Sequence, residues 1–229
     1  MKTLTIKLTG PLQSYGNQAT FSRRTSYHYP SKSALIGMIA AALGYRRDDS
    51  RISNLNQLKV AVRIDQPGQT MTDFQIIEYD RAHQKRSLSY RDYLQDAVFI
   101  AAISGNSNKI EQINNALHHP KFQLSLGRRA NVPAGPLKTK IFDNQDPVSV
   151  LKNSEWQASE WYQKRKGSYL AEIIADADLL PDKASTLVKD KVGSFDQAHR
   201  WHQYRAVVTL HVKLANSLNN TDHDVMASL

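Results

Sequence analysis

The chain has 229 residues, 41% of them hydrophobic, with 30 Lys and Arg against 21 Asp and Glu and a formal net charge of +9. That suits one large globular domain or two small ones and excludes a disordered or fibrous chain. Cysteine is absent, so disulfides, thiolate metal sites, iron–sulfur clusters and cysteine nucleophiles are excluded, and a reducing compartment fits.

Thr3 to Thr9 alternates Leu4, Ile6 and Leu8 with polar residues, as a strand does, and Lys2 and Lys7 make it unlike the apolar core of a secretion signal. Gln13 to Tyr29 is polar, aromatic and basic without a period and reads as a loop. Pro30-Ser31 opens a helix over Lys32 to Leu43, with Gly44 as its stop. The apolar run Ala34 to Leu43 inside it has about half the length of a membrane helix, so a soluble, cytoplasmic protein is expected. Leu58 to Ile64 and Phe74 to Tyr79 follow as strands, then Val98 to Ile103, a helix over Lys109 to Leu117, and a strand through Phe122, Leu124 and Leu126.

The order strand, helix, strand, strand, helix, strand over residues 1 to about 130 is that of a ferredoxin-like (RRM-like) α+β fold with an antiparallel sheet. Ser168 to Ala175, Leu187 to Lys191 and Ala206 to Leu214 read as further strands. The expected organisation is a palm over 1–135 and a β-rich extension over 136–229, with a frayed tail after Asn216.

The positive charge is segregated. Residues 1–47, 81–91 and 112–142 hold 16 of the 30 basic residues and no acid. Brought together, these segments form the surface a polyanion requires. The stretch 13–29 mixes Tyr15, Phe21, Tyr27 and Tyr29 with Arg23, Arg24 and His28, which suits stacking unpaired bases while gripping phosphates. Gly127-Arg128-Arg129 places two guanidiniums at a turn after a strand.

Signatures of nucleotide hydrolysis, dinucleotide binding and zinc proteolysis are missing. His199 and His202, without a third ligand, read as a basic surface turn, and Asp176 with Asp178 as a solvated strand end. His118-His119 before Pro120 reads as a polar helix end, with an acid/base pair as the alternative.

Gly10-Pro11-Leu12-Gln13-Ser14-Tyr15-Gly16, Arg24-Thr25, Pro30-Ser31-Lys32-Ser33-Ala34-Leu35-Ile36-Gly37, Leu43-Gly44 and Arg47-Asp48-Asp49 form a set. Together with Tyr93-Leu94-Gln95-Asp96-Ala97 and Leu126-Gly127-Arg128-Arg129, this set resembles the CasD-type (Cas-five) subunits of type I-E CRISPR Cascade complexes. The resemblance implies a repeat-associated RNA-binding (RAMP) fold and a noncatalytic, cofactor-free role. Such a subunit caps the 5′ handle of the guide RNA (crRNA), contacts the backbone and large subunits, and meets target DNA only through the complex.

It also implies a β-hairpin thumb, by position residues 66–97, whose tip carries Arg81, His83, Lys85 and Arg86. On this reading Arg23, Arg24, Lys32, Arg128 and Arg129 neutralise phosphates, with Ser33 beside Lys32 in the first turn of its helix. Gln13, Tyr15 and Tyr27 stack on or read bases, and Ser14 and Thr25 belong to the same RNA-binding loop. The alternative is a metal-independent endoribonuclease acting on repeat RNA, which would draw on His118, His119, Tyr27, Tyr45 and Lys32.

Overall fold

The computed structural model describes residues 1–20, 22–216 and 218, with the side chains of 17–19 left aside. Phe21 and the expected frayed tail, apart from Leu218, lie outside the described residues. In chain order the elements are β1 (Lys2–Thr9), β2 (Leu12–Gln13), β3 (Tyr15–Ala19), β4 (Arg23–Tyr27), α1 (Lys32–Leu43) and α2 (Arg51–Asn54). Then come β5 (Lys59–Gln66), β6 (Gln69–Asp80), β7 (Lys85–Gln95), β8 (Val98–Gly105) and α3 (Ser107–His118). The chain ends with β9 (Lys138–Asp143), α4 (Pro147–Asn153), α5 (Glu160–Gln163), β10 (Tyr169–Asp176), β11 (Thr186–Ser194) and β12 (Trp201–Leu214).

The architecture is α+β and mainly antiparallel. A seven-stranded sheet runs β11-β12-β10-β5-β8-β1-β9, and a five-stranded sheet runs β2-β7-β4-β3 with β6 on β7. Alternation does its work in β1, where Leu4, Ile6 and Leu8 enter the main core. Helix α1 covers the same face of the large sheet. It is apolar nearly all round, because it packs on α3 and β11 as well as on the core. Ser31 caps its first turn, its Oγ accepting from the Ala34 N–H, and Gly44 ends it at φ 79°. On the opposite face α4 is capped by Asp146, whose carboxylate accepts from Val148 N–H (2.9 Å) and Ser149 N–H (3.0 Å). Val148 and Leu151 of this helix pack on Ile100, Ile173 and Leu210.

Three expectations are corrected. Residues 13–29 are not a loop: β3 and β4 form a hairpin, and β4 pairs in parallel with β7. Backbone hydrogen bonds hold this strand where apolar alternation is lacking, which hid it from periodicity. Phe122 to Leu126 is not a strand: Lys121 and Phe122 donate their N–H groups to Ala42 and Ala41, capping the end of α1. The fourth strand of the first half is β9, antiparallel to β1, and its charged Lys138 and Lys140 suit the edge it occupies.

The boundary expected at residue 135 falls between strands of one sheet, since β9 pairs with β1 and β10 with β5. Strands β6 and β7 pair from Gln69–Gln95 to Asp80–Lys85, about 35 Å at the usual rise per residue.

Candidate nucleic-acid interface

The small sheet gathers basic side chains from segments far apart in sequence. β4 supplies Arg23 and Arg24, β7 supplies Tyr90, Arg91 and Tyr93, and the turn after Leu126 supplies Arg128 and Arg129. Arg24 lies opposite Arg91 in the β4–β7 register, and Tyr90 opposite Arg23.

The Arg128 guanidinium stacks on the Tyr93 ring at 4.5 Å and donates through Nη2 to the Arg24 carbonyl at 3.1 Å. Arg128 Nη1 and Arg91 Nε are buried and find no hydrogen-bond partner among the described residues. A buried donor without an acceptor is costly, and both guanidiniums stay positive with no carboxylate partner among the described residues. Arg23 keeps a loose contact of 3.6 Å with Asp92, and Arg129 is exposed.

The turn that presents Arg128 is fixed by backbone contacts. Ser14 N–H donates to Leu126 O (3.1 Å), Leu126 N–H to Asn131 O (2.7 Å) and Asn131 N–H to Arg128 O (2.9 Å). Gly127 sits at φ 91°, in the left-handed region that only glycine enters freely.

The remaining expected residues divide. Gln13, Ser14 and Tyr15 are buried and cannot stack on bases. Gln13 Nε2 donates to Ala97 O (2.7 Å), Tyr15 Oη donates to Gln13 Oε1 (2.5 Å), and Ser14 Oγ donates to Asp92 O (3.0 Å). The Tyr15 ring meets Phe99 edge-on, and burial raises its phenol far above the ordinary value. These three side chains join the core to the small sheet.

Lys32 is likewise removed from any phosphate. Its ammonium donates to Asp176 at 2.8 Å, and its backbone N–H donates to Asp190 at 2.8 Å. Arg205 bridges the same two acids, through Nη1 to Asp176 (2.5 Å) and Nε to Asp190 (2.6 Å). Burial lowers the Lys32 ammonium below its ordinary pKa, with Asp176 opposing. Asp176, expected at a solvated strand end, is therefore buried at the centre of this network, while Asp178 pairs outside it with Lys59. Ser33 is half-buried, 3.1 Å from Ser31 Oγ.

Thr25 and Tyr27 are half-buried on β4, and Tyr27 packs its ring on Tyr29 at 5.5 Å. At the far end of the hairpin Arg81 is exposed, and acids accompany its neighbours. His83 lies 2.8 Å from Asp80, Lys85 4.0 Å from Asp80 and Arg86 3.8 Å from Glu78. The basic segments thus converge only in part, since Lys7 and Lys138 lie opposite one another on the large sheet and not on the small one.

The groups named for an endoribonuclease are dispersed. Lys32 is locked in its acid network. Tyr45 carries Arg51 over its ring at 4.1 Å and is flanked by Lys109 of α3. His118, at the opposite end of that helix, hydrogen-bonds Thr139 Oγ1 at 2.8 Å, and His119 is exposed beside it. His202 is half-buried against Phe195, its pKa lowered by burial, while His199 is exposed. Among the described residues no three His, Cys, Asp or Glu side chains are grouped to hold a metal ion.

Sequence reading missed Tyr90, Arg91 and Tyr93 as members of the site. The alternating run Ser89-Tyr90-Arg91-Asp92-Tyr93 after a basic stretch was the available signal.

Known proteins share this fold. A solved chain of a CRISPR RNA-guided surveillance complex is similar with a TM-score of 0.74 and 30% identity, covering 94% of this chain and 92% of that one. A solved Cas protein is similar with a TM-score of 0.67 and 26% identity, covering 94% and 96%. The CRISPR system Cascade subunit CasD of Escherichia coli (strain K12) is 26% identical over 180 residues, 70% of this chain and 80% of that protein. The family model described as CRISPR-associated protein (Cas_Cas5) matches residues 3–208, most of the length, and the chain therefore belongs to that Cas5 family.

Proposed function

We propose that this chain is a noncatalytic, cytoplasmic subunit of a Cascade-type CRISPR surveillance complex and that it holds the 5′ handle of the crRNA. The observation that carries the reading is the convergence of Arg24, Arg91 and Arg128 on one small sheet, two of them with a buried donor unclaimed among the described residues. Similarity to the Cascade subunit CasD and to a chain of an RNA-guided surveillance complex supports it.

The β1–α1–β5–β8–α3–β9 succession supports reading the body as a ferredoxin-like palm, and the β6–β7 hairpin as its thumb. Arg23, Arg24, Arg91, Arg128 and Arg129 neutralise phosphates, while Tyr27 offers a ring to unpaired bases. At the thumb tip Arg81 extends the positive track, with His83, Lys85 and Arg86 beside Asp80 and Glu78. One thumb face exposes Phe74 and Ile76 opposite Tyr90 and Leu88, an apolar strip suited to a neighbouring subunit. Target DNA is met through the assembled complex.

Co-expression with the other Cascade subunits and a repeat-containing transcript tests the assignment. The chain should co-purify with RNA whose 5′ end it protects from nuclease, and Arg128→Glu with Arg129→Glu should lose that protection. Protection unchanged by the double reversal would refute it.

A further inference from the structure

A cavity of about 280 Å³ opens beside the interface, where the base of the β6–β7 hairpin meets β10 and β12. Its lining includes His28, Ile64, Leu94, Tyr169, Glu172 and His211. It lies on the path of the strands that carry the basic cluster. Leu94 shares its face of β7 with Tyr90, which lies opposite Arg23, and His28 directly follows β4, which bears Arg23 and Arg24.

The walls are held in place. Tyr169 stacks on Trp156 at 4.9 Å with an interplanar angle of 6° and donates its hydroxyl to Ile64 O at 3.1 Å. His28 meets Tyr29 edge-on at 5.0 Å. Glu172 faces His211 across the β10–β12 register, and its carboxylate is 3.7 Å from His28 Nε2. The nearby imidazole of His28 holds Glu172 below its ordinary pKa, so the carboxylate is ionised at neutral pH.

A pocket with ring walls and one acceptor-only group suits a flat, donor-bearing heterocycle better than an anion. Guanine alone among the four RNA bases presents two adjacent N–H donors, N1 and N2, on its Watson–Crick edge. Adenine, cytosine and uracil each place an acceptor there, which a carboxylate repels.

We propose that this cavity receives one base of the bound single-stranded RNA and that Glu172 selects guanine at that position. The inference rests on the RNA-binding reading above and adds base selection at a named residue, which the charge cluster cannot supply.

Fluorescence anisotropy of the full chain with short uridine-rich RNAs, each carrying one substituted position, tests it. At one position guanine should raise affinity at least about ten-fold over adenine, cytosine and uracil, in line with a bidentate base contact. Glu172→Gln should remove that preference while the all-uridine strand binds as before. Thr70→Trp, at an exposed residue on the cavity rim, should remove it by filling the space.

Equal affinity for all four bases in the wild-type chain, or a guanine preference that survives both substitutions, overturns the inference and leaves RNA holding intact. Failure to bind any RNA overturns the functional reading instead. Where RNA shows no positional preference, calorimetry with GMP reads the pocket alone: Glu172-dependent GMP binding then assigns the site to a free nucleotide and overturns the proposal in this form.

Discussion

Gly127 packs its α-carbon against the Ser14 backbone so closely that a Cβ there would stand 1.6 Å from the Ser14 carbonyl oxygen. This contact fastens the arginine turn to the segment leading into the β3–β4 hairpin. Gly127→Ala should therefore destabilise the chain by more than about 3 kcal/mol, through the clash and the left-handed backbone together. Gly16→Ala, with open space around its Cβ, should change stability by less than about 1 kcal/mol. Urea unfolding of the pair separates close approach from a general intolerance of side chains.

Arg128 joins two parts of the site, stacked on Tyr93 and bonded to the Arg24 carbonyl. Arg128→Lys keeps the charge but loses the planar fork, and should still weaken single-stranded RNA binding by about ten-fold. Arg128→Glu with Arg129→Glu should weaken it further and flatten the dependence of affinity on salt by about 0.7 in slope for each phosphate left without a cation. Titrations at several salt concentrations check both; an unchanged slope would remove these arginines from the interface.

Lys32 carries an opposite expectation. Its ammonium is buried with Asp176, Asp190 and Arg205, so Lys32→Ala should cost about 3–5 kcal/mol by leaving carboxylate charge uncompensated. In folded Lys32→Ala protein at low temperature the salt slope of RNA binding should equal that of the wild type. A smaller slope would return Lys32 to the RNA.

The difference between Lys32 and Arg128 also marks how far the sequence could be read. Strands with apolar alternation, such as β1 and β5, were visible because burial imposes their period, and helix α1 because Ser31 and Gly44 mark its ends. β3, β4 and β9 were not, since they carry polar or charged residues and are held by backbone pairing, β3 with the adjacent β4, and β4 and β9 with the distant β7 and β1. Charge segregation marks segments, yet composition cannot tell a lysine facing solvent from one facing Asp176, 144 residues away. Tyr15 looked like a stacking ring for the same reason, and it is a core residue bonded to Gln13. The turn at Gly127-Arg128-Arg129 was legible because glycine marks a left-handed backbone position, but the stacking of Arg128 on Tyr93 was not.

Alkaline pH should expose the tyrosines beside the acid network. Burial, with Asp190 nearby, pushes the Tyr29 phenol up to about 12 from its ordinary value of 10.0. Between those values the unfolded chain has already released the proton that the folded chain keeps, so stability falls as pH rises from 10 to 12. Tyr29→Phe should make that fall shallower, as measured by urea unfolding across the range. An identical pH dependence in the variant would contradict this burial.

Incubation of the purified chain with labelled repeat RNA in EDTA, followed on one gel against a scrambled strand, tests the central claim most directly. The handle-bearing RNA should be retained in preference to the scrambled strand and remain uncut. Specific cleavage that persists in EDTA, and disappears in His118→Ala with His119→Ala, would contradict a holding role and identify a nuclease.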